Sequence, residues 1–439
     1  MRWLGRKRKP RFCVLGLDGV PIGLLRRLVE DGTMPRLGAL LPQGRLQQMR
    51  TTLPEISAVS WSSFMTGADP GTHGIFGFVD LKPNSYAIRF PSYADLQAPT
   101  IWDRLGQRGR RSVVVNQPAT YPARRIEGAL ISGFVAIELR KAVWPPQLLS
   151  RLQSMRYQID VDTMRAREDH DLLLHELQTT LQAREQAVEW LWQEVDWDYF
   201  ELVVTGTDRL HHYLWPALED TSHPRHRAVR DYYRQVDGLV GRVYDRFAGS
   251  YEGAPAECFM LLSDHGATET VTEVYVNAWL RQQDFLRFEA DEPESLEQMS
   301  AGSRAFALEP ARLYVNQRRR FPQGCVSEDE VEGLKRELAE GLEALEFEGR
   351  KVVARVVDRS EAYSGPLAKQ GPDLLLVPER GFDLKASVRQ PRLFARTALT
   401  GTHTWDDAFC WSGAAVKQDP CITDLAPVIL GAVTGEVPG

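Results

Sequence analysis

The chain has 439 residues, enough for one large α/β domain with insertions or for roughly three domains of about 150 residues each. Hydrophobic residues at 43% and charged residues at 26% exclude a disordered, collagenous or disulfide-scaffold chain. With 53 Lys+Arg against 59 Asp+Glu the net charge is −6, so no global positive field supports dedicated nucleic-acid binding.

The first residues are basic: Arg2, Arg6, Lys7, Arg8, Lys9 and Arg11. Residues 1–10 read as a solvated tail, with weak contact to anionic lipid as the alternative. The adjoining segment FCVLGLDGV places Asp18 where a secretory signal would be apolar, and no small-residue cleavage site comes after it. No apolar stretch approaches the ~18 residues a membrane-spanning helix needs. Five scattered cysteines (Cys13, Cys258, Cys325, Cys410, Cys421) lack CxxC or zinc-finger spacing, which points to a reducing cytoplasm.

RFCVLGLDG reads as a buried strand, and VPIGLLRRLVEDG as a helix with a glycine stop. Short apolar runs recur in RRSVVVNQP, YFELVVTGTD, ECFMLLSDHG and PDLLLVPE. Continuous rather than alternating hydrophobicity means strands covered on both faces, hence an α/β fold with a mostly parallel central sheet and helices on both sides. Residues 11–439 are expected to form this one domain, with two segments that differ from it. Residues 144–195 carry heptad-like apolar spacing and read as a helical layer over the sheet or a cap. Residues 282–358 are more charged and form a cap or insert. There Ser327 and Glu330 make a capping box, and Val331, Leu334, Leu338, Leu342 and Leu345 share one helix face.

Four places put Asp or His at a strand end or glycine turn: Asp18 in LGLDG, Asp208 and His212 in TGTDRLHH, Asp264 and His265 in LLSDHG, and His403 in TGTHTWDD. Strand ends of an open α/β sheet are where its active sites gather, and a following glycine lets the backbone turn away from a bound group. Asp208 and His212 are spaced i,i+4, which puts both on one helix face. Three carboxylates and three imidazoles without a thiolate suit zinc, or manganese as a close second. A lone Asp-Gly is ordinary turn chemistry; four such pieces are harder to explain that way. His211 and Arg209 stay open, the first as a neighbour of His212, the second as either an anion contact or a charge balance. LPEISAVSWSSFMTG supplies hydroxyls, and by composition alone Ser57 or Ser60 is a helix N-cap.

In their chain order these motifs resemble the alkaline-phosphatase superfamily, and within it the type I phosphodiesterase/nucleotide pyrophosphatase branch. That branch shows a first Asp-Gly, a Ser/Thr nucleophile before Thr-Gly, Asp-x-x-x-His, Ser-Asp-His-Gly and a late Gly-x-His. The likeness runs from about residue 11 to the C-terminus. It implies two divalent metal ions, one held by Asp208, His212 and His403, the other by Asp18, Asp264, His265 and Ser57. Ser57 is then the nucleophile, activated because a divalent cation lowers the pKa of its hydroxyl, and hydrolysis runs through a phosphoryl-enzyme.

One departure stands out. Nucleotide pyrophosphatases of this branch place a phosphate-binding asparagine after the His-Gly-Ile that follows the nucleophile segment, and here HGIFGFVD puts Phe78 in that place. Trp61, Arg209 or a residue of the cap are the candidate replacement donors. Sulfatases match poorly, because Ser57 is followed by AVSW rather than x-Pro-x-Arg, and the serine segment characteristic of phosphoglycerate mutases is absent. The expected function is therefore a phosphoester hydrolase acting on a small phosphoester, with diesters preferred. A phosphomonoesterase with the same site and a non-catalytic metal-binding relative are the alternatives.

Overall fold

The computed structural model describes residues 11–435 apart from 311 and 397, so the basic tail expected at residues 1–10 lies outside the described residues. Its centre is an eight-stranded sheet in the order Arg45–Met49, Ala408–Ser412, Phe259–Leu262, Phe12–Leu17, Tyr199–Val204, Ser112–Gln117, Gly128–Ser132, Val143–Trp144. The five strands from Phe259–Leu262 to Gly128–Ser132 run parallel, and the outer strands are antiparallel to their inner neighbours. Phe12–Leu17 and Tyr199–Val204 are buried at every position, which is why they read as unbroken apolar runs.

Two helix layers enclose this sheet. Ser57–Thr66, Ile101–Gly106 and Leu425–Thr434 pack together in one, and His170–Glu194, Gly206–Glu219 and His226–Ser250 in the other. The long helix His170–Glu194 buries Leu173, Leu177, Leu181 and Leu191 in the main core, so this part of residues 144–195 lies over the sheet.

A second core belongs to a smaller lobe. Its antiparallel sheet runs Ala305–Leu308, Arg312–Val315, Leu374–Pro378, Val353–Asp358, with Val331–Glu343 packed on it through Leu334, Leu338 and Leu342. The Ser327–Glu330 capping box is present at the start of that helical segment. PDLLLVPE, grouped by its apolar run with the strands of the main sheet, belongs here instead. Leu374–Pro378 is a central strand of the second sheet, covered on both faces, and so it carries the same unbroken hydrophobicity. The apolar run reports two-sided burial but not which sheet provides it. This lobe's core runs from Val274 to Val388, beyond the segment 282–358 on both sides, and also takes in Tyr86.

Candidate metal centre and active-site cleft

Most of the candidate ligands stand where a strand hands over to a turn or helix. Asp18 follows Phe12–Leu17, Asp264 and His265 follow Phe259–Leu262, and Asp208 and His212 lie in Gly206–Glu219 just beyond Tyr199–Val204. These three strands are adjacent and parallel, so their carboxyl ends meet. His403 comes from Gly401–Thr404, which pairs antiparallel with Gly266–Glu269 and so returns to the same edge. Thr207 fixes the join by donating its hydroxyl to the Asp18 carbonyl at 2.6 Å. Gly19, at φ +68°, is required here: a Cβ would lie 3.0 Å from Asp208 Oδ1.

The structure brings all seven residues into one constellation. Asp18, Asp264 and His265 form one group whose ligand atoms lie within 4.8 Å of each other, and Asp208, His265 and His403 form another. His212 joins the second, with Nε2 at 3.3 Å from Asp208 Oδ1 and 3.0 Å from His403 Nε2. His265 bridges the two groups, its ring centre 3.9 Å from that of His403. Ser57 opens the helix Ser57–Thr66, with Oγ 3.3 Å from Asp18 Oδ1 and 3.2 Å from His265 Nε2.

The donor set has the features of a cation site. Every imidazole turns Nδ1 to a backbone carbonyl: His212 to Gly401, His265 to Gly266, and His403 to Glu55, at 2.8, 2.8 and 2.9 Å. That contact places the proton on Nδ1 and leaves Nε2 as a lone-pair donor. Asp208 Oδ1 and Asp264 Oδ2 are buried without a hydrogen-bond donor among the described residues. Unpaired carboxylate oxygens beside inward-facing imidazole lone pairs are costly alone and suit a metal ion. Burial and the neighbouring carboxylates Asp264 and Asp208 push Asp18 well above the usual carboxylate range.

The weaker candidates divide. Trp61 is fully buried and does not line the cleft; its indole N–H donates to Asp18 Oδ2 at 2.9 Å. The N–H expected to meet a phosphate is thus engaged by a carboxylate. Phe78 does line the cleft, edge-on to Phe134 with ring centres 5.3 Å apart. Arg209 reaches the cleft but is held by Asp160 at 2.7 Å and Asp208 at 3.2 Å, with Phe134 against its guanidinium. His211 turns away and meets the Tyr233 hydroxyl at 2.6 Å. Glu55 carried no signal beyond its place two residues before Ser57, yet its carbonyl orients His403 and its buried Oε2 has no partner among the described residues.

The cleft holds about 640 Å³ and lies between the main domain and the second lobe. His212, His403 and Arg209 are on its floor side, and Leu308, Phe382 and Val388 are among its second-lobe walls. Asp18, Asp264 and His265 lie deeper and are essentially inaccessible.

Residues 12–406 match the family described as type I phosphodiesterase / nucleotide pyrophosphatase. The chain belongs to this family. It is thus a phosphoester hydrolase, with an alkaline-phosphatase-like fold. Similar solved structures include phosphonoacetate hydrolase from Sinorhizobium meliloti 1021 in complex with phosphonoacetate, at 16% identity and TM-score 0.63 over 97% of this chain and 95% of that one. The alkaline phosphatase PafA is 15% identical with TM-score 0.59 over 99% and 100%. Murine ectonucleotide pyrophosphatase / phosphodiesterase 5 is 12% identical with TM-score 0.55 over 96% and 95%. At these identities the likeness is one of fold. No curated protein sequence matches the chain.

Proposed function

We propose that this family member is a metal-dependent phosphodiesterase that works through a phosphoryl group carried on Ser57. The observation that carries the reading is the placement of Ser57 Oγ, 3.3 Å from Asp18 and 3.2 Å from His265, at the first position of a buried helix. A helix N-terminus favours negative charge, so oxygen at that position is stabilised as it loses its proton. Asp208, His212 and His403 would hold one divalent cation, and Asp18, Asp264, His265 and Ser57 the other. Zinc, or manganese, is the choice the mixed carboxylate and imidazole set favours. When bound, two such ions supply the positive charge that a serine alkoxide and the phosphoryl oxygens need.

The residues divide the remaining work. Ser57 Oγ forms a bond to phosphorus as the bond to the leaving-group oxygen breaks. Water then cleaves the Ser57 ester, restoring the hydroxyl and releasing a phosphomonoester. Trp61 keeps Asp18 oriented throughout. The family match favours a diester; of the cations that line the cleft, Arg209 and Lys385 are each committed to a carboxylate, Lys385 to Asp383 at 2.8 Å, so neither is free for a monoester's second charge. The second lobe acts as the cap that selects the leaving group. The cytoplasm remains the proposed compartment, since all five cysteines are unpaired thiols.

The test compares turnover of bis-p-nitrophenyl phosphate and p-nitrophenyl phosphate by the metal-loaded protein, with Ser57→Ala as control. Faster diester hydrolysis that the control lacks supports the reading. Faster monoester hydrolysis makes the protein a phosphatase, and activity surviving in the control removes Ser57 as nucleophile.

A further inference from the structure

The large apolar side chains that remain exposed are not scattered. Of the six among the described residues, five are Ile88, Phe90, Val135, Ile137 and Met164. Phe90, Ile137 and Met164 are 77%, 85% and 73% exposed, so they pack on little among the described residues. They stand on three segments separated in sequence, and each segment also contributes to the cleft: Val79 and Ile88 from the first, Phe134 from the second, Thr163 and Arg167 from the third. The segments converge physically. Phe134 packs against both Phe78 and Arg209, Arg209 pairs with Asp160, and Tyr213 donates to the Thr163 carbonyl. The exposed apolar groups therefore ring the cleft mouth.

Charge follows the same distribution. Residues 79–90, 133–141 and 160–167 together carry six Lys or Arg against four Asp or Glu, in a chain whose net charge is −6. Isolated exposed apolar residues are ordinary, but a set gathered around one opening marks an interaction site. The five side chains are divided among a two-stranded hairpin, an irregular segment and a short helical turn, so no one strand edge or helix face carries them all. A fluid apolar layer beneath anionic head groups can accept all five side chains at once, while the surplus cations meet the head-group charge.

We propose that this rim docks the enzyme on an anionic lipid surface, with the cleft mouth turned toward the head groups. Its consequence for substrate rests on the phosphodiesterase reading: lipid phosphodiesters would then be presented directly to the cleft. Docking itself is a binding property and is measured without turnover.

The experiment is flotation of the full chain with vesicles of phosphatidylcholine containing a minority of phosphatidylglycerol, at low and high salt. The parent protein is expected to float with these vesicles and less so at high salt. Phe90→Ser with Ile137→Ser is expected to float roughly ten-fold less while hydrolysing soluble bis-p-nitrophenyl phosphate at the parental rate. Val135→Ser with Met164→Ser repeats the test at independent positions should the first pair misfold. The proposal is overturned if the parent does not float, or if the variants float equally, which would assign binding to the basic N-terminal residues. Self-association of the parent by light scattering, lost in the variants and without vesicle binding, would assign the rim to a second copy and also overturn it. Absence of diester turnover in a parent that floats would remove the phosphodiesterase reading and leave the docking result standing.

Discussion

His212 Nε2 and His403 Nε2 face each other at 3.0 Å while both Nδ1 atoms are engaged with backbone carbonyls. Two imidazole lone pairs at that distance repel unless a cation lies between the ligands, and Asp208 Oδ1 lies 3.3 Å from both nitrogens. Chelator-treated protein is therefore expected to melt at lower temperature than protein given zinc or manganese. Saturation at about a thousand times the dissociation constant contributes about 4 kcal/mol. Thermal denaturation with and without metal checks this, and identical melting curves would contradict it.

Trp61 offers a test of a residue that works through another. Trp61→Phe keeps an aromatic ring at this buried position but removes the N–H donated to Asp18. Partners that orient a metal ligand are commonly worth roughly 10–100-fold in affinity or activity. A fall of at least roughly ten-fold in kcat/KM or in metal affinity is expected, with the fold retained by circular dichroism. Parental values for both would show that Asp18 needs no such support.

How much of this is legible in the sequence depends on the range of the signal. Asp18, Asp264 and His265 announce themselves locally, because a strand that ends in Asp-Gly or Asp-His-Gly carries its own turn. His212 and His403 are 191 residues apart, and only the ordered set of motifs joins them. The Trp61 contact leaves no trace, since an indole N–H that meets a carboxylate looks like any core tryptophan until the helix is placed. The apolar run at Leu374–Pro378 points to the wrong sheet for the related reason that a burial pattern does not encode partner strands.

Arg312 links the two sides of the cleft. Its buried guanidinium donates to the Val79 carbonyl at 2.6 Å and to the Glu309 carbonyl at 2.6 and 2.9 Å, and Val79 and Glu309 both line the cleft. The approach requires glycine at 77, where a Cβ would lie 2.6 Å from the guanidinium. Arg312→Met removes the donor to these part-buried carbonyls, at a cost of roughly 1–3 kcal/mol in unfolding free energy. Because Phe78 sits between Gly77 and Val79, KM for a bulky diester is expected to rise more than KM for a small one. Urea unfolding and paired steady-state kinetics read the two effects.

Glu201 predicts a pH dependence remote from the site. It lies fully buried in Tyr199–Val204, accepts from the Tyr199 hydroxyl, and has Oε1 without a partner among the described residues. Burial pushes its carboxyl up to about 8 from 4.5, with the Tyr199 contact opposing. The folded chain thus keeps a proton that the unfolded chain releases. Its contribution is complete below about pH 4.5 and declines as pH rises to about 8, by roughly 1.4 kcal/mol per pH unit. Glu201→Gln is expected to melt higher than the parent at pH 8 and to lose this slope. Melting temperatures across that range check it, and parallel curves would contradict it.

Everything proposed for the reaction turns on Ser57 carrying the phosphoryl group. Intact-mass spectrometry reads this directly, on metal-loaded protein quenched in acid during turnover of bis-p-nitrophenyl phosphate, with peptide mapping of the adduct. The expected result is added mass equal to one p-nitrophenyl phosphoryl group on the peptide containing Ser57, absent from Ser57→Ala. An adduct on another residue, or turnover by Ser57→Ala at the parental rate, would show that the nucleophile lies elsewhere.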